Sequence, residues 1–349
     1  MNSYENIIGH VEEIERLKYL VESQKIPHGI LFWGEDGIGK YKVARAFAKN
    51  ILAAKESNEE AKRTFTRIDS GNHPDFFLVE LEEGKNEINV AQIEEINKHC
   101  TMLSEKVGSK KVYIINQADK LNEVASNRFL KTLEEPPPNV VFILVTSYKN
   151  AILPTILSRC QQFFFRPLEQ DLIATIISFH YHGQEIKPKE DVLNSAIYLS
   201  YGKPGKVIHF IDKNFEDVFK TLNAFLNAGT PTHFEILLSG LELYINKQIG
   251  SESKTFQQRN AFLVFLEIAA LYFREFIANN PERNTQCKLW GFKNTQELPI
   301  DSRVILNIMD TIEKYNRNIH ANGNIGLLTY SFCMTISKTW NSQFLQLKS

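Results

Sequence analysis

The spacing of apolar residues changes character once along this chain, near Arg166. Before that point, short apolar runs alternate with segments whose apolar positions recur at helical spacing. The runs predict strands at Gly29–Trp33, Phe76–Leu81, Val112–Ile115, Val140–Thr146 and Phe163–Phe165. Several are continuously apolar, as strands covered on both faces must be. Helices are predicted at Lys40–Ala53, Val90–Leu103 and Asn122–Leu133. The last stops before Pro136-Pro137-Pro138, which cannot continue a helix. This alternation predicts an α/β domain with a parallel sheet over residues 1–166.

After Pro167 the pattern becomes helical throughout. Short helices run to about Asp212, with a turn at Gly202-Lys203-Pro204-Gly205, so 167–214 is read as a small helical domain. Residues 215–349 form an all-α domain, in which Phe262, Phe265, Leu266, Ala269, Phe273, Phe276 and Ile277 repeat at helical spacing. That stripe is a packing core rather than a ligand box. Polar breaks at Gly250–Lys254 and Asn279–Gln286 predict loops.

Charge changes the picture by exclusion. The formal net charge is -1, which argues against binding nucleic acid by bulk electrostatics. The four cysteines, Cys100, Cys160, Cys287 and Cys333, lie far apart and form no C-x-x-C pair. Neither a disulfide framework nor a zinc site is signalled, and a reducing cytoplasm fits. No apolar stretch is long enough to span a bilayer, and Met1–Glu5 does not open like a secretory signal.

Gly34-Glu-Asp-Gly37-Ile-Gly39-Lys40 follows the first predicted strand and reads as a phosphate-binding loop. Glycines let backbone N–H groups cradle phosphate, and the lysine neutralises its charge. The next residue should be the Ser or Thr that holds Mg²⁺; here it is Tyr41, whose phenol is far too long for that point. A hydrolytic site also needs an acidic pair where a neighbouring strand ends. After Val112–Ile115 stand Asn116 and Gln117, which cannot act as a base and are poor magnesium ligands. Asp119, further on, is expected to point elsewhere. Gly34, Gly37, Gly39 and Lys40 leave binding of ATP or ADP open, without turnover.

Arg159, in Ser158-Arg159-Cys160, precedes the last predicted strand. An arginine in a lone tripeptide is usually a surface residue, but at this place it can reach from the domain edge towards a neighbouring γ-phosphate. Gly71-Asn-His73-Pro-Asp75 is read as a turn rather than a metal site. Lys106, Lys110 and Lys111 are read as a solvated loop, and Lys42, Arg45 and Lys49 as a solvated helix face.

Lys131-Thr-Leu-Glu-Glu-Pro-Pro137, Ile156-Leu-Ser-Arg-Cys160 and Gly71–Asp75 together resemble the clamp loader family of bacterial DNA polymerase III, from Ile7-Ile-Gly9 through Pro167. The resemblance implies an AAA+ type P-loop domain, a small helical lid and a helical collar that joins subunits into a hetero-oligomer. It implies loading of the sliding clamp on primed DNA, with gamma/tau ATPase subunits and a delta subunit as partners. Arg159 would then be a catalytic arginine finger, acting in trans on the neighbour's ATP site, in a stator that does not itself hydrolyse ATP. The family's four-cysteine zinc module has no counterpart in Ala53–Ser70, so zinc is expected to be absent and packing must hold that segment. Gly205 stands where active subunits carry a lid arginine. The alternative is a gamma/tau-like ATPase motor, which Tyr41, Asn116 and Gln117 oppose; an independent nucleic-acid module is opposed by the neutral charge.

Overall fold

In the computed structural model, the described residues are 3–82, 85–100, 102, 104–105, 108–183, 190–212, 215–227, 233–246, 254–278, 302–320 and 323–347. They form two compact units, residues 1–185 with 200–206 and residues 186–199 with 207–349.

The first unit is built on five parallel strands: β1 (Gly29–Trp33), β2 (Phe76–Val79), β3 (Lys111–Ile115), β4 (Val140–Thr146) and β5 (Gln161–Phe164). They lie in the order β2-β3-β4-β1-β5. Around them stand α1 (Val11–Glu22), α2 (Lys40–Leu52), α3 (Asn58–Asp69), α4 (Val90–Cys100), α5 (Glu123–Glu134), α6 (Pro154–Leu157) and α7 (Gln170–His180). Strand side chains alternate between two faces. Ile30, Phe32, Val112, Ile114, Val141 and Ile143 share one buried layer with α1 and α2. Leu31, Tyr113, Ile115, Phe142 and Leu144 share the other with α4 and α5. A sheet covered on both faces explains the unbroken apolar runs. β2 ends at Val79, short of the expected Leu81, and α4 ends at Cys100.

Besides the four-residue α6, the structure adds two longer helices to those expected from the sequence. α1 buries Ile14, Leu17 and Leu20. α3 fills the stretch without cysteines and buries Ala61, Thr64, Phe65 and Ile68, a spacing that puts them on one face. It starts in a capping box: the Ser57 hydroxyl accepts from Glu60 N–H while the Glu60 carboxylate accepts from Ser57 N–H at 3.0 Å.

The second unit is helical: α8 (Glu190–Leu199), most of α9 (Pro204–Asp212), α10 (Phe215–Asn227), α11 (His233–Asn246), α12 (Lys254–Ala278), α13 (Ser302–His320) and α14 (Ile325–Leu347). Phe262, Phe265, Leu266, Ala269 and Phe273 are buried, as the helical stripe requires. Phe332 sits among Phe225, Phe262, Phe265 and Tyr315, with ring centroids 5.4–6.5 Å apart. The side chains of Phe276 and Ile277, the break at Asn279–Gln286, Cys287, Lys106 and most of the Gly250–Lys254 break lie outside the described residues. No helix among the described residues is long and apolar enough to cross a membrane.

Candidate functional site: the phosphate loop and the Arg159 edge

The loop between β1 and α2 holds Gly34, Gly37 and Gly39 at φ of 150°, 76° and 100°. These are left-handed values that glycine adopts without a Cβ penalty. At Gly34 the chain also runs so close to the Phe165 carbonyl that a Cβ would overlap it. His10, itself in the left-handed region, donates its Nε2–H to the Ile38 carbonyl at 2.8 Å.

Lys40 is buried and turns inward. Its ammonium donates to the Gly34 carbonyl at 2.8 Å, the Glu35 carbonyl at 2.5 Å and the Ser147 hydroxyl at 3.2 Å. Burial depresses its pKa to about 8, against the opposing pull of Asp36, Asp119 and Glu35. Tyr41 points into packing: its ring lies against the α1–α2 layer and the Arg45 guanidinium stands 5.9 Å from its centroid. Burial raises its phenol's pKa, so it stays protonated and uncharged at neutral pH. A neutral, packed phenol supplies no magnesium hydroxyl in the expected place.

At the end of β3, the Asn116 side-chain carbonyl accepts from Gln117 N–H at 3.1 Å, and Gln117 sits at φ 53°. Asp119 corrects the sequence reading. The turn Ala118–Lys120 brings its carboxylate back to the end of β4, where it accepts from the Thr146 hydroxyl at 2.6 Å and Ser147 N–H at 3.4 Å. Ser147 also receives Lys40, so Asp119 and the loop lysine share one network. The apolar pattern carries no sign of the three-residue 3-10 turn after β3, which aims the Asp119 side chain at Thr146.

Arg159 follows α6 and precedes β5, and its side chain is 38% exposed. Its guanidinium donates to the Glu134 carboxylate at 2.9 Å and to the Thr155 carbonyl at 2.9 Å. Glu134 ends α5, so the Lys131–Pro137 and Ile156–Cys160 motifs, apart in sequence, meet through this pair. Cys160 and Leu133 also press on Gly29 at the start of β1.

Lys111 is a second correction. It belongs to β3, is buried, and donates to the His99 and Met102 carbonyls at 2.7 and 2.8 Å. It satisfies carbonyls left open at the end of α4 instead of lining a solvated loop. Arg45 and Lys49 likewise pair with Asp69 at 3.0 and 2.6 Å, tying α2 to α3.

His73, Asp75 and Glu105 bring three possible metal ligands within 4.8 Å of one another. Their hydrogen bonds argue for a structural role. His73 Nδ1 accepts from Asp75 N–H at 3.1 Å, which puts the neutral ring's proton on Nε2 and leaves no free lone pair for a metal. The Asp75 carboxylate accepts from Glu105 N–H at 3.0 Å, and Arg67 holds Glu105 at 2.9 Å. The group fastens α3 to the turn before β2. Zinc of the four-cysteine kind does not fit Ala53–Ser70, which offers no thiolate and folds around buried Phe65 and Ile68.

Residues 9–169, which contain the phosphate loop, Asn116, Gln117 and Arg159, match the family described as DNA polymerase III, delta subunit. Over this stretch the chain is similar to clamp loader delta' subunits of DNA polymerase III. The segment is similar to DNA polymerase III subunit delta' of Bacillus subtilis, 37% identical over 44% of this chain and 46% of that protein. The delta' subunit of Escherichia coli is 28% identical over 63% of this chain and 65% of its own length. A gamma/tau subunit of Mycoplasma pneumoniae is 33% identical over 63% of this chain and 34% of its own length. The matches thus span between a third and two thirds of these relatives. A gamma subunit-related protein of Thermotoga maritima aligns at 16% identity and TM-score 0.49, over 94% of this chain and 99% of that one. Gly202–Lys206 lies beyond residues 9–169, the stretch that matches the family described as DNA polymerase III, delta subunit.

Proposed function

We propose that this chain is a non-hydrolysing stator of the replicative clamp loader. In this reading it helps place the sliding clamp on primed DNA and offers Arg159 to the ATP site of an adjoining gamma/tau subunit. Residues 167–214 serve as the lid, and 215–349 as the collar of a cytoplasmic hetero-oligomer that includes the delta subunit. The reading rests on one observation above all: Arg159 stands exposed at the domain edge with its guanidinium oriented by Glu134. A planar fork held in this way suits a γ-phosphate that a lysine could not grip bidentately. What supports the absence of hydrolysis is Tyr41, packed against the α1–α2 layer where a magnesium hydroxyl is needed, and the uncharged Asn116 and Gln117.

The test is the clamp- and DNA-stimulated ATPase of the assembled loader carrying Arg159→Ala or Arg159→Lys. A finger is worth ~10³ or more where chemistry limits the rate, so both variants should lose most of the stimulated turnover with assembly intact. An unchanged rate in an intact assembly would remove Arg159 from the mechanism.

The gamma/tau motor is kept as a second reading because a gamma/tau relative matches 63% of the chain and Lys40 is retained. Steady hydrolysis by the purified chain, abolished in Lys40→Ala, would establish it in place of the stator.

A further inference from the structure

We infer that the phosphate loop is a mechanical joint that closes without nucleotide, latched by Gly205 and Lys203. Gly205 lies in the first turn of α9, whose leading N–H groups have no partner within the helix. Its N–H donates to the Gly37 carbonyl at 2.8 Å, so the loop itself caps this helix. The two glycines meet backbone to backbone: a Cβ on Gly205 would lie 3.0 Å from both the Cα and the carbonyl oxygen of Gly37. Beside them the Lys203 ammonium pairs with the Glu35 carboxylate. On the inner side Lys40 is already saturated by Gly34, Glu35 and Ser147, and on the outer side His10 holds Ile38. The lysine that a phosphate-binding loop would offer to phosphate is here spent on the loop's own carbonyls and Ser147, and the Gly37 carbonyl is spent on the α9 N–H. A phosphate would have to displace the Lys40 contacts to recruit the lysine. Pro167 and Leu168 brace the same segment from behind, with Leu168 N–H donating to the Gly202 carbonyl at 2.8 Å. The inference concerns only the loop and its latch and stands whether or not the chain serves a clamp loader.

Amide hydrogen exchange of the purified full chain tests it, read on peptides covering 34–40 and 200–206, with and without 1 mM ATP, a level set ~10-fold above a 0.1 mM affinity. Both peptides should be protected without ATP and unchanged by it. Gly205→Ala should accelerate exchange in both peptides by at least about tenfold, because alanine is the better helix former and only the lost contact can loosen the joint. Lys203→Ala, which removes the ion pair to Glu35 and leaves the contact between the two glycines in place, should accelerate them by about twofold to fivefold. This milder variant keeps the test decisive if Gly205→Ala fails to fold. Protection that appears only with ATP, or rates unchanged in Lys203→Ala and in any folded Gly205→Ala, would overturn the inference.

Discussion

Lys40 carries an unusual electrostatic load for a residue in a phosphate loop. A lysine whose folded pKa falls to about 8 from 10.5 is costly to keep charged, by up to ~3 kcal/mol below pH 8. Between these values the unfolded chain binds the proton that the folded chain releases, so Lys40 makes stability rise with pH. We expect the stability difference between the natural chain and Lys40→Met, measured by urea unfolding, to shift in favour of the natural chain from pH 8 to 10. A flat difference would mean that Lys40 titrates normally. The thiols of Cys160 and Cys333 are both pushed up to about 12 by burial, so neither should react with a thiol reagent in the native state at pH 8. Rapid labelling of either site before global unfolding would contradict their burial.

At the scale of elements, α3 carries the clearest consequence. The capping box at its start is the local signal that begins this helix. Ser57→Ala should cost ~1 kcal/mol in equilibrium unfolding, typical of a lost N-cap. Phe65→Ala should cost ~3 kcal/mol or more, since it empties the core face of the helix. Added zinc or a chelator should leave both values unchanged. The Ser57-x-x-Glu60 signature and the apolar spacing behind it are legible in the sequence. α1 was equally legible from Ile14, Leu17 and Leu20. The strand ends were less so, because β2 stops where its partner β3 stops, a limit set by pairing rather than by composition.

For the whole molecule, the division into two units predicts separable stability. Phe332 is the hub of the aromatic cluster in the helical unit, and Phe332→Ala should cost ~3–5 kcal/mol there. Hydrogen exchange should show α12, α13 and α14 opening more readily while β1 and β4 keep their protection. Equal acceleration in the sheet would mean that the two units unfold as one.

Local chemistry determined much of this protein from the sequence alone. Apolar runs announced a doubly covered sheet, glycines announced the phosphate loop, and Tyr41, Asn116 and Gln117 stand where a hydrolytic site would carry a magnesium hydroxyl and an acidic pair. Each of these depends on residues near one another in the chain or on a period that one element imposes. The tertiary structure alone decided the rest. It joined Glu134 to Arg159, swung Asp119 back to Thr146, buried Lys111 under the end of α4, and set Gly205 against Gly37. Apart from Lys111, those pairings span 25 to 168 residues, and no periodicity encodes them, because a hydrogen bond between distant residues exists only once the chain has closed the loop between them.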